Sequence, residues 1–240
     1  MHKTGSIILV GAGPGDPELL TLRAVRVLES ADVVLYDALV SDAVLAYASP
    51  AAEKISVGKK GHGPSCRQDD INIMMVTLAL AGKRVVRLKG GDPLLFSRAG
   101  EEIEAARAAG ISVEIIPGIT TAQAAAAALG APLTHRHHAR RLQFVTGHDH
   151  KGALPEDIDW RALADPRATT VVYMVKKTLP EFSLVLQEHG LSADTSAVAI
   201  MDVSLPTQHI IRGTIATLPV LMEAAKMEGP VLVIIGRTLA

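Results

Sequence analysis

Short apolar runs rich in β-branched residues alternate with longer amphipathic stretches along the whole of this chain. Ile7-Ile8-Leu9-Val10 is followed by helical periodicity from about Pro17, Val33-Val34-Leu35-Tyr36 by another from about Ser41, and Ile55–Val57 by a third from about Gln68 to Ala81. Val85–Leu88, a helical stretch near Arg98 to Ala109, and Val113–Ile116 continue the order. Strands that are apolar at nearly every position have both faces covered, and strands separated by helices run parallel. The pattern therefore predicts an α/β chain whose N-terminal sheet is mostly parallel.

The pattern changes after the middle. Pro117-Gly118 and Gly130-Ala131-Pro132 bracket an alanine-rich helix from Thr120 to Leu129, and a basic stretch runs from His135 to Arg141. We expect an N-terminal α/β domain over 1–117, a connecting helix and linker over 118–137, and a C-terminal α/β domain over 138–240. Strands are expected at Leu142–Thr146, Thr170–Met174 and Val231–Ile235, with helices at Trp160–Ala164, Leu179–His189 and Leu218–Lys226. Ala197–Val203 and Gln208–Arg212 are separated only by Ser204-Leu205-Pro206-Thr207, which reads as a hairpin, so the second sheet should be mixed.

Composition narrows the function. Lys and Arg number 24 against 25 Asp and Glu, a formal net charge of -1, so no overall basic field exists to hold a nucleic-acid backbone or an anionic lipid surface. Three Phe, three Tyr and one Trp are too few for a stacking face against single-stranded RNA or DNA. The single cysteine, Cys66, forms no internal disulfide and no Cys-x-x-Cys pair. No apolar run approaches the ~18 residues that span a bilayer, and Met1-His2-Lys3-Thr4-Gly5 leads straight into a strand. A cytoplasmic protein with neither nucleic-acid nor membrane partners is expected.

The glycine-rich loop Gly11-Ala12-Gly13-Pro14-Gly15-Asp16-Pro17 sits between a strand and a helix, as a dinucleotide fingerprint would. Its sixth position is Asp16, however, which with Pro17 makes an N-cap and N1 pair and sets a negative charge where a pyrophosphate would lie. A nicotinamide-type site is disfavoured, and a ligand resting close against backbone is favoured over a mere tight turn. Asp37, just past a strand end, is either a ligand contact or a turn residue, and Lys59 in Val57-Gly58-Lys59-Lys60-Gly61 is either a lid donor or a solvated loop cation. In Lys89-Gly90-Gly91-Asp92-Pro93, Asp92 can accept hydrogen bonds from an amine or from ribose hydroxyls. Arg98 and Glu101, three apart, favour a plain exposed ion pair. Thr134–Arg141 concentrates three arginines and three histidines, which suits a small polyanion, a solvated turn or an RNA strip. These histidines, and His148 and His150, have no metal-ligand spacing, so no metal is expected.

Several of these stretches jointly resemble the tetrapyrrole (corrin/porphyrin) methylases, and within them the uroporphyrinogen-III C-methyltransferases. The resemblance is carried by Val10–Pro17, Val34-Leu35-Tyr36-Asp37, Val57-Gly58-Lys59-Lys60, Arg87–Pro93, Ile116-Pro117-Gly118-Ile119-Thr120 and Pro132-Leu133-Thr134-His135-Arg136, with weaker echoes in Val172-Tyr173-Met174 and Pro230–Gly236. It implies two α/β domains with the active site in the cleft between them, S-adenosyl-L-methionine as methyl donor, and two methylations of uroporphyrinogen III, at carbons 2 and 7, giving precorrin-2 and S-adenosyl-L-homocysteine. A homodimer and a place in sirohaem or cobalamin synthesis go with it. It further implies that Pro14, Gly90, Gly91, Asp92, Leu95, Thr120, Thr121, Met174, Val203 and Pro230 line the donor site. Asp37 and Lys59 would act as proton acceptor and donor, and Arg98, Glu101 and Arg136 would face the substrate. The alternatives are a relative acting on another tetrapyrrole or an RNA base, and an inactive donor-binding module. The chain departs from the family in having Ala99 in Ser97-Arg98-Ala99-Gly100-Glu101-Glu102, and Met201-Asp202-Val203-Ser204 where Glu-Asn-Gly-Thr is common.

Overall fold

The computed structural model describes residues 4–58, 66–149 and 151–239. The chain divides into two units, up to Thr120 and from Thr121 onward.

The first unit holds a five-stranded sheet, β1 (Ser6–Gly11), β2 (Val33–Tyr36), β3 (Glu53–Ser56), β4 (Arg84–Lys89) and β5 (Val113–Ile116), in the order β3-β2-β4-β1-β5, with every pair parallel. Helices α1 (Leu22–Glu29) and α2 (Asp42–Leu45) cover one face, and α3 (Gln68–Leu80) and α4 (Ala99–Ala108) the other. The two-residue period of the strands explains the division. Ile8, Val10, Val34, Val86 and Leu88 pack with Ala24, Leu28 and Val44, whereas Ile7, Leu9, Leu35 and Val85 pack with Ile71, Met75 and Ala106. Helix α1 begins later than the sequence suggests. Pro17–Leu19 forms a single 3-10 turn capped by Asp16, and the α-helix starts only after Thr21, whose hydroxyl accepts the Ala24 N–H.

In the second unit α5 (Thr121–Leu129) packs against β10, Val231–Ile235. The sheet is completed by β6 (Arg141–Thr146), β7 (Ala168–Tyr173), β8 (Ser196–Met201) and β9 (His209–Thr214), in the order β6-β7-β10-β8-β9. Only β6 and β7 are parallel; β10 runs antiparallel to both neighbours, and β8 and β9 form the expected hairpin. Helices α6 (Trp160–Leu163), α7 (Leu179–Glu188) and α8 (Leu218–Ala224) supply Leu163, Phe182, Leu186, Leu218 and Met222 to its core. No helix among the described residues is long and apolar enough to cross a membrane.

Candidate active site

In the first unit the loops after β1, β4 and β5 meet at the carboxyl ends of adjacent strands, where open α/β sheets take ligands. They meet backbone to backbone. Ala12 N–H donates to Lys89 C=O at 2.8 Å, and Gly13 and Gly91 exchange both hydrogen bonds, at 3.2 and 2.7 Å. Gly13 and Gly91 sit at φ +70° and +66°, a region that suits glycine. A Cβ on Gly118 would stand 2.2 Å from the Gly91 carbonyl oxygen, and one on Gly11 would stand 2.5 Å from the Gly118 nitrogen. Gly11 and Gly118 thus make room for each other and for the Gly91 carbonyl. Because the Ala12, Gly13 and Gly91 N–H groups are consumed between the loops, they are not available as a phosphate cradle.

Asp92 locks the arrangement. One carboxylate oxygen accepts the Leu94 N–H at 2.9 Å and the other the Gly118 N–H at 3.0 Å. Substituting Asp92 with alanine should therefore lower unfolding free energy by about 1–3 kcal/mol, the cost of leaving such donors unpaired. Denaturant titration showing no change would mean that water replaces the carboxylate without loss. Leu95 lies in the loop that follows, which contains two non-glycine residues in the left-handed region, Phe96 (φ 51°) and Arg98 (φ 59°). Sparsely populated conformations of this kind cost of order 1–3 kcal/mol and collect at functional sites. Arg98 donates from Nε and Nη2 to the two oxygens of Glu101, both at 2.8 Å, on the exposed first turn of α4. That pairing holds the Arg98 guanidinium above its ordinary value and the Glu101 carboxyl below its own.

Asp37 follows β2 directly, and its Oδ1 lies 2.5 Å from Nη2 of Arg87. Arg87 is 2% exposed and donates again from Nε to the fully buried Glu102, at 2.8 Å, and from Nη1 to the Leu35 and Leu88 carbonyls. Glu102 also receives Lys89 Nζ on both oxygens at 3.0 Å and the Gln68 amide at 3.4 Å. Burial and the neighbouring Arg87 push the Lys89 ammonium below its usual value, against the pull of Glu102. Burial works against the Arg87 charge too, but Asp37 and Glu102 outweigh it and raise its pKa. Sequence reasoning assigned no role to Arg87, Lys89 or Glu102. The signal was present: Arg87 and Lys89, at alternate positions after the apolar Val85-Val86, share one face of β4, and that face is buried by helices, so a buried counter-charge is required.

In the second unit Met174, Val203 and Pro230 converge. Met174 follows β7 in the left-handed region (φ 55°), its carbonyl oxygen 2.5 Å from His148 Nδ1. Val203 is buried, flanked by Asp202 and Ser204 at φ 51° and 65°, and Asp202 N–H donates to Pro230 C=O at 3.2 Å. Since β10 runs antiparallel to β7 and β8, its start beside Pro230 lies at the ends of those strands. Thr121 reaches the same end, because the next residue, Ala122, donates its N–H to the Tyr173 hydroxyl at 3.3 Å. Arg136 does not belong to this group. It sits exposed on a tight hairpin closed by His135 and Ala139, ahead of β6, whose first residue pairs with the start of β7. Thr120, Pro14 and Gly90 are partly buried, with Gly90 against the Leu39 side chain. Lys59 and His150 lie outside the described residues. No group of three or more His, Cys, Asp and Glu residues that could hold a metal occurs among the described residues.

Fold and loops together define an α/β protein of two units whose first sheet offers a ligand surface lacking those phosphate-binding N–H groups. The chain belongs to the tetrapyrrole (corrin/porphyrin) methylases, whose family model matches residues 6–219. Siroheme synthases from Thiobacillus denitrificans and Methylococcus capsulatus are 47% and 48% identical to it, each over 232 residues and 97% of this chain. The chain spans about half the length of these curated relatives, 48% and 49%. Among solved structures, uroporphyrin-III C-methyltransferase from Thermus thermophilus, complexed with S-adenyl homocysteine, superposes with a TM-score of 0.82 at 38% identity, covering 98% of this chain and 99% of that one. A cobalt precorrin-4 methyltransferase superposes with a TM-score of 0.87 at 28% identity, covering 98% and 96%.

Proposed function

We propose that this chain transfers methyl groups from S-adenosyl-L-methionine to carbons 2 and 7 of uroporphyrinogen III, giving precorrin-2. The observation that carries the reading is the loop cluster at the end of the first sheet. The Ala12, Gly13, Gly91 and Gly118 N–H groups are spent internally, and the carboxylates of Asp16, Asp37 and Asp92 stand on adjacent loops, an anionic set that suits a cationic sulfonium better than a pyrophosphate. Similarity to the Thermus thermophilus enzyme over the full chain supports the choice of substrate. Pro14, Gly90, Gly91, Asp92, Leu95 and Thr120 are the proposed donor contacts of the first unit, and Thr121, Met174, Val203 and Pro230 those of the second. A cytoplasmic homodimer belongs to the same reading.

When bound, the donor supplies a methyl group already activated on sulfur. The chain's own residues have three tasks: to align the acceptor carbon, to exclude water, and to receive the proton that leaves an adjoining bridge carbon afterwards. Asp37 is assigned the last. Its Oδ1 is held by Arg87, and no partner engages Oδ2 among the described residues. Lys59 is assigned the complementary donor role. Arg98, Glu101 and Arg136 are assigned to the macrocycle, whose eight carboxylates call for fixed cations.

Incubating the full chain with uroporphyrinogen III and the methyl donor, followed by mass analysis, should detect a product heavier by two CH2 units, a methyl gained and a proton lost at each transfer. Gain on another tetrapyrrole instead, or on an RNA base, would replace the substrate, and donor binding without turnover on any acceptor would leave a binding module. Substituting Arg98 or Arg136 with methionine should weaken macrocycle binding by about 1.5–3 kcal/mol while S-adenosylhomocysteine affinity hardly moves. Unchanged catalysis in the Arg98 variant would return it to a surface pair with Glu101, worth under ~1 kcal/mol.

A further inference from the structure

The chain Lys89–Glu102–Arg87–Asp37 is an expensive way to fill a core. Taking charges out of water costs several kcal/mol per ion, and apolar residues of similar volume often replace such groups with no loss of stability. Stability therefore does not account for it, and its shape suggests what does. Three members are sealed: Glu102 is fully buried, and Arg87 and Lys89 are each 2% exposed. The fourth, Asp37, has a side chain 29% exposed at the carboxyl end of β2. The formal charges sum to zero, two cations against two anions. Arg87 is fixed from three directions, by Glu102, by the Leu35 and Leu88 carbonyls and by Asp37, so that Nη2 presents to Asp37 a donor with little freedom to turn.

From this geometry we infer that Arg87, braced by Glu102, is a positioning residue for Asp37. It holds Oδ1 and thereby aims Oδ2 at the reacting carbon, while Lys89 balances the second charge on the brace. The inference rests on the assignment of Asp37 as proton acceptor and deepens it. Arg87 touches no reactant; its effect runs through Asp37 alone.

The test is a double-mutant cycle on the full chain with Asp37→Asn, Arg87→Lys and the pair, run on whichever tetrapyrrole accepts a methyl group, so that an error in choosing uroporphyrinogen III leaves the cycle usable. Arg87→Lys keeps the charge but cannot reach Glu102, both carbonyls and Asp37 together. It should lower kcat about tenfold or more, with KM for the methyl donor and calorimetric S-adenosylhomocysteine affinity within about twofold. The double variant should be no slower than the slower single one. Glu102→Gln, which keeps volume and an acceptor, serves if Arg87→Lys does not fold; it should lower kcat severalfold, again without further loss beside Asp37→Asn. Losses that multiply, or an unaltered kcat in Arg87→Lys or its substitute, overturn the inference. An Asp37→Asn variant with full kcat overturns the proton-acceptor assignment, and the inference with it. A normal Asp37→Asn defect with multiplying losses overturns the inference alone.

Discussion

Replacing Gly118 with alanine should cost about 3 kcal/mol of stability, the upper end of what overpacking usually does, and should abolish donor binding in whatever fraction folds. The new Cβ would stand 2.2 Å from the Gly91 carbonyl oxygen, 2.9 Å from the Gly11 Cα and 3.0 Å from the Gly11 carbonyl carbon. All three are backbone atoms, so no side chain can swing aside. Nor can the loops part cheaply, because Ala12 N–H to Lys89 C=O and the paired Gly13–Gly91 hydrogen bonds tie the ends of β1 and β4 together. Gly100→Ala is the control. Nothing lies within 4 Å of a Cβ there, the position is in the first turn of α4, and the change should stay within about 0.5 kcal/mol. Denaturant unfolding of the two variants side by side decides the matter: a Gly118→Ala loss under about 1 kcal/mol would mean that the loops have slack.

That contrast explains why part of the site was legible in the sequence and part was not. The glycines of the first loop and of Lys89-Gly90-Gly91-Asp92 announced a close approach, but a missing Cβ does not say what fills its place. Gly11 and Gly118 make room for each other and for the Gly91 carbonyl, a relation 27 to 107 positions long that no local pattern records. Asp92 was legible as a carboxylate needing donors, and its donors are the Leu94 and Gly118 N–H groups. Strand direction was legible as far as apolar runs and turn residues carry it: a mostly parallel first sheet and the β8–β9 hairpin follow from local spacing, whereas the strand orders do not. Helix α5, in the segment expected over 118–137 to connect the domains, packs on β10, a strand about 100 residues further on that no local pattern announces. Helix α1 was placed too early because Asp16-Pro17 is a strong start signal; it opens a 3-10 turn, and Thr21 opens the α-helix.

Replacing Glu102 with leucine should cost about 3–5 kcal/mol at about pH 7, the expectation when one member of a buried ionic group is removed and the rest stay charged. Arg87 loses its 2.8 Å acceptor and Lys89 loses both of its own, and neither can turn to water from a 2% exposed position. The loss should depend on pH in a definite direction. Burial, then the Arg87 charge, already hold Lys89 below its ordinary value, and Glu102 is the first group opposing them, so removing it lowers the folded-state pKa further. The unfolded chain keeps Lys89 protonated to about pH 10.4. Between those two values the unfolded state binds the extra proton, and stability rises with pH. The deficit against the parent chain should therefore shrink from about pH 7 towards about pH 10. Changing all three sealed groups, as Arg87→Met, Lys89→Met and Glu102→Leu together, should recover most of the stability, to within about 1–2 kcal/mol of the parent, because of the network's charges Asp37 alone is then left, and its side chain reaches water. Chemical denaturation of the single and triple variants across that pH range is the measurement. A single-variant loss below about 1 kcal/mol, flat with pH, would mean that water reaches the network, and the bracing of Arg87 behind Asp37 would then lack the rigidity ascribed to it.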